Sequence, residues 1–139
     1  MNSEQIQIEI RRLNNKINIS NRNISSYRKE IRELEEEYNK SNFVINIFQK
    51  SIQSFYDSIT KSISKLDKDS VFGDYYKSKI NPILNGNENY QIQETIAQGK
   101  RDILRKIDEK ENSIIIEERN ITKYSQRILE LKNMLLNSV

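Results

Sequence analysis

Apolar side chains recur along the first half of the chain at alternating intervals of four and three residues. With Ile10 as heptad position a, the seam runs Ile6, Ile10, Leu13, Ile17, Ser20, Ile24, Tyr27, Ile31, Leu34, Tyr38, Ser41, Ile45, Phe48, Ile52, Phe55, Ile59, Ser62 and Leu66. Only Ser20, Ser41 and Ser62 are neither apolar nor aromatic. A repeat of 3.5 residues marks a helix that lies along a partner helix with left-handed supercoiling. No glycine or proline interrupts it. The pattern predicts helix over about 4–68, roughly 90 Å if straight at ~1.5 Å per residue. Whether this is one helix or two is left open by the periodicity.

A second seam follows. Ile107, Ile114, Ile121, Ile128 and Leu135 recur every seven residues, with Tyr124 and Leu131 between them. Lys110 and Glu117 occupy the two other intervening positions, which predicts weaker packing near 106–118. Ile92, Ile96 and Ile103 carry the stripe back past Gly99, so helix is expected over about 90–136. A glycine inside a helix costs about 1 kcal/mol relative to alanine. Gly99 therefore suggests a close helix approach or a bend.

Between the seams lies "DSVFGDYYKSKINPILNGNENY", residues 69–90. Asp69 and Ser70 are candidate caps for a short helix ending near Ile80. Asn81 precedes Pro82, the only proline, and a residue before proline is pushed away from helix. Asn85-Gly86 is a turn signal, and Asn87 or Asn89 suits the start of the next helix. The fold class expected is all-α: an elongated, coiled-coil-like antiparallel helical hairpin. It forms one domain over 1–139, with a short helix or irregular connector over about 69–89.

A two-helix hairpin covers one side of each helix, so residues off the seam reveal any further sticky surface. In the first register Phe43 falls at f and Ile47 at c, adjoining at i, i+4 and facing away from the seam. Val44, Tyr56 and Ile63 flank it. Ile115 and Ile116 fall at b and c of the second helix, and Phe72, Tyr75 and Tyr76 cluster at the bend. The bland account packs them on the connector or leaves them as isolated exposed apolars. The sharper account makes Phe43, Ile47, Phe72, Tyr75, Tyr76, Ile115 and Ile116 partner-binding anchors. A thin core gains stability by association, so a homodimer and a heteromer both stay open.

Composition narrows the chemistry. Cysteine and histidine are absent, which removes disulfides, thiol nucleophiles, the usual zinc sites and the commonest general base. The 139 residues carry 23 basic and 20 acidic groups, mixed throughout, with no basic stripe for nucleic acid. The segment "RKEIRELEEE", 28–37, reads as a solvated face with i, i+4 pairs. No glycine-rich phosphate loop and no nucleophile with its base are present. The expectation is therefore no catalysis, no cofactor and no metal. No apolar run reaches the length of a membrane span, and "MNSEQIQIEI" lacks a secretory signal pattern.

The assembled pattern resembles the small all-helical proteins encoded beside LXG-domain toxins of Gram-positive type VII secretion systems. The resemblance is carried by "QIEIRRLNNKINISNRNISSYRKEIRELEEEY", "NFVINIFQKSIQSFYDSI", a bend with "VFGDYYKSKI", and "KRDILRKIDEKENSIIIEERNI". It implies a targeting factor or chaperone that binds the helical N-terminal domain of a toxin, alone or with a second small helical protein. It also implies a cytoplasmic protein, or one exported with its cargo. The tryptophan of WXG-type bends is absent, and "VFG" stands at 71–73. Tyr90 and Glu94 have the Tyr-x-x-x-Asp/Glu spacing of the export signal, but they open the second helix instead of following it. The resemblance therefore favours the partner without its own export signal. The rival expectation is a self-associating structural coiled coil of a phage or cell-envelope system.

Overall fold

The computed structural model describes residues 1–65, 71–82 and 86–137, without the side chains of residues 63, 72, 77 and 80. The described chain is all-α, a helical hairpin of two long helices and a short connector. Helix α1 spans Ser3–Ile63, a single uninterrupted helix. Helix α2 spans Val71–Tyr75 and runs into a π-helical turn, Tyr76–Ile80. Helix α3 spans Asn87–Asn137. Leu66, Asp69, Ser70 and Asn85, on which parts of the expected seam, cap and turn fell, lie outside the described residues.

Helix α1 starts where its first orphan donors find side chains. The Gln5 backbone N–H donates to Asn2 Oδ1 at 2.8 Å, and the Asn2 N–H donates to Gln5 Oε1 at 3.0 Å. This reciprocal pair is a capping box built on Asn-x-x-Gln. At the far end Ser64 N–H still donates to Thr60 O, while Lys65 N–H turns to Ser62 O at 3.3 Å. The last turn thus tightens to an i→i+3 bond.

The chain divides into two compact units. The first comprises Met1–Glu35 with Arg105–Val139. Its core is Ile6, Leu13, Ile128 and Leu131, with Ile10, Ile17, Tyr124 and Leu135 packed against it. Early residues of α1 meet late residues of α3, so the helices run antiparallel here. Each buried Leu or Ile contributes about 1.5–3 kcal/mol relative to exposure.

Lys110 and Glu117, the polar interruptions of the second seam, are used in this unit. Lys110 Nζ lies 3.0 Å from Glu30 Oε2 and 5.5 Å from the centre of the Tyr27 ring. Glu117 Oε1 accepts from Asn23 Nδ2 at 3.3 Å. Arg28 reaches Glu118 at 3.8 Å. The solvated face expected over 28–37 therefore sends Arg28 and Glu30 across to α3.

The second unit comprises Glu36–Leu104. Its α1 seam residues Ile45, Phe48, Ile52 and Ile59 are half-buried, and Ile103 on α3 is buried. Lys100 Nζ sits 5.0 Å over the Tyr38 ring. Phe55 departs from its expected seam position and is 54% exposed, while its neighbour Tyr56 is half-buried. Here the half-buried position passes from d to the adjoining e, Tyr56, while the a positions Ile52 and Ile59 keep theirs.

Three further expectations are corrected here. Gly99 faces open space, since an added Cβ would meet no atom within 4 Å. It marks no close approach. Asn81 keeps helical dihedrals, φ −57° and ψ −40°, although Pro82 follows. Its N–H bonds Tyr76 O, five residues back, and this wider turn relieves the clash of a proline ring with the carbonyl four back. Asn89 lies inside α3, where its Oδ1 accepts from Gln93 Nε2 at 3.0 Å. Gly86 supplies the first carbonyl of the helix, accepting from Tyr90 N–H at 3.3 Å.

Candidate partner-binding surface

The expected anchors fall into three groups. On α1 in the second unit, Phe43 is 65% exposed and Ile47 is 49% exposed. Val44, expected only as a flank, is exposed as well, and Phe55 joins them. At ~100° per residue, these four positions occupy about a third of the helix circumference, beside the half-buried seam. In the connector, Tyr75 is exposed and Tyr76 half-buried. The Phe72 side chain, like that of Ile63, lies outside the described residues. On α3 in the first unit, Ile115 and Ile116 are exposed.

The α1 group is the most continuous of the three. Local chemistry explains why it stays uncovered. The seam residues on the same turns are half-buried, and a helix can turn only one side to one partner. Polar side chains around the group hydrogen-bond within their own helix. Ser41 Oγ donates to Glu37 O at 2.9 Å, and Gln53 Nε2 donates to Asp57 Oδ1 at 2.9 Å. Charge changes abruptly along α1. The segment 28–37 holds Glu30, Glu33, Glu35, Glu36 and Glu37, whereas 38–56 holds Lys40 and Lys50 and no acid.

On α3, further apolar residues missed from the sequence are exposed. They include Tyr90 and Leu104 in the second unit and Leu129 in the first. Leu129 shares its heptad position with the exposed Ile115 and Leu136, so a signal for it was present in the sequence. Glu94, one turn beyond Tyr90, is held by Arg101 Nη2 at 2.9 Å. The surface depressions along this part of α3 are shallow, lined by Gln91, Thr95 and their neighbours on the same helix. Among the described residues no three His, Cys, Asp or Glu are grouped to hold a metal ion. No described helix is long and apolar enough to cross a membrane.

Two carboxylate and amine groups are shifted by their pairings. The hydrogen bond from Arg12 holds the Glu9 carboxyl below its ordinary value. The hydrogen bond to Glu30 raises the Lys110 amine above its own. The first pairing lies along α1 and the second crosses from α1 to α3, both within the first unit.

Compared with protein-family models, curated proteins and solved structures, the chain matches none.

Proposed function

We propose that this chain is a non-catalytic binding protein, a targeting factor or chaperone for an LXG toxin exported by a type VII secretion system. The observation that carries the binding role is the exposed run Phe43, Val44, Ile47 and Phe55 on a helix already committed to a partner on its other side. Large apolar side chains at helical spacing, held on a rigid element, are the usual means of seating a second amphipathic helix. The assignment to toxin export rests on the sequence resemblance. On this reading the helical N-terminal domain of the toxin lies against α1 in the cytoplasm. A second small helical protein, or the toxin itself, helps supply the contacts to the secretion machinery.

The test is the solution mass of the purified chain, alone and co-expressed with the N-terminal domain of a toxin encoded beside it. A stable complex with that domain is expected. A tight homo-oligomer indifferent to it would sink the proposal and favour a self-associating coiled coil.

A further inference from the structure

We infer that the exposed face of α1 made by Phe43, Val44, Ile47 and Phe55 receives an amphipathic helix whose flanks are acidic. The inference deepens the partner-binding reading and rests on it, though not on the identity of the toxin. Two observations combine. The apolar run supplies anchors spaced to lie under one helix, and all four are exposed. Over 38–56 the charge of α1 has one sign, with Glu36 and Glu37 just before this stretch and Asp57 just after it. Between Glu37 and Asp57 the only ionised side chains of α1 are Lys40 and Lys50, and Asp57 is engaged by Gln53. Both lysines are exposed. At ~100° per residue, Lys40 precedes the run on its own face, and Lys50 borders it.

A helix bearing Glu or Asp beside its apolar stripe would place carboxylates against both ammonium groups. A lysine-flanked helix would meet like charge, which costs binding and slows encounter. A second copy of this segment carries the same two lysines and no acid, so face-to-face self-pairing repels itself. An anionic lipid surface matches the lysines. However, a membrane-lying helix needs a basic polar face, and two lysines over 38–56 are few for anchoring.

The experiment uses the full chain and two synthetic helical peptides with the same leucine face, one flanked by glutamate and one by lysine. Binding is read by fluorescence anisotropy at several salt concentrations. The glutamate peptide is expected to bind at least ~10-fold tighter than the lysine peptide, and more weakly as salt rises. F43A with I47A should weaken it about 10-fold or more with unchanged helicity by circular dichroism. K40E with K50E should invert the peptide preference. Equal binding of both peptides, or binding indifferent to these variants, overturns the inference. So does association of the chain with phosphatidylglycerol vesicles that F43A/I47A abolishes, or a homodimer that the same change dissolves. A toxin domain that binds regardless of these variants leaves the functional proposal standing and removes only this one. Preference for the acidic peptide without toxin binding does the reverse.

Discussion

Lys110 Nζ lies 3.0 Å from Glu30 Oε2, joining a seam position of α3 to the polar flank of α1. The ammonium also stands over the Tyr27 ring, so one side chain serves two partners on the opposing helix. Both charged side chains keep substantial exposure, 35% and 43%. A pair this wet is weakened by solvent and screened by salt. A double-mutant cycle on Lys110→Met and Glu30→Gln, read by chemical denaturation, should give a small favourable coupling that shrinks in high salt. A coupling that salt leaves unchanged would contradict the assignment.

The pH dependence has a defined sign at each end. Lys110 is raised in the folded chain, so its stabilisation is complete below the amine's unfolded value and fades as pH climbs through the folded one. Glu9 is lowered, so its stabilisation is complete above the unfolded carboxylate value and is lost as pH falls through the folded one. Glu9→Gln should therefore flatten the acid limb of the stability profile and leave the alkaline limb alone. Glu30→Gln should flatten the alkaline limb.

Leu131 has no exposure and sits in the core of the first unit with Ile6. Leu131→Ala should cost about 2–5 kcal/mol in thermal or denaturant unfolding. Leu129, two residues earlier and exposed, should tolerate the same change within about 0.5 kcal/mol.

The glycines separate by what surrounds them. Gly99→Ala fills open space on an exposed helix surface and should stabilise by about 0.5–1 kcal/mol. Gly86→Ala would place a Cβ against the Pro82 carbonyl oxygen, so the backbone at Gly86 or Pro82 must shift to accept it. The expected outcome is a lower Tm for Gly86→Ala and a higher one for Gly99→Ala.

The cap of α1 is testable in isolation. Asn2→Ala removes one half of the reciprocal pair with Gln5 and should cost about 1 kcal/mol. The loss should appear as faster amide exchange in the first turns, with the core near Leu131 unchanged.

Much of this fold can be read directly from the chain. The seam from Ile6 to Ile52 is a one-dimensional pattern, and burial follows it, because a helix with a single apolar stripe has only one way to hide it. Phe55 is lost because the adjoining Tyr56 takes the half-buried place, a choice between two aromatic neighbours that the pattern alone does not make. The role of Lys110 was hidden because a lysine at a seam position looks like a defect until Glu30 and Tyr27 stand opposite it. The exposure of Phe43 and Ile47 was legible from register. The openness around Gly99 was not, since a glycine's neighbours are set by tertiary packing.

Two of the seam serines, Ser41 and Ser62, give their hydroxyls back to the carbonyls of Glu37 and Ser58, four residues earlier on α1 itself. Their polarity is satisfied without any contribution from the helix opposite. This half of the seam is therefore permissive. At these two positions the helix opposite need present no donor or acceptor, so an apolar residue there strands no hydroxyl of α1.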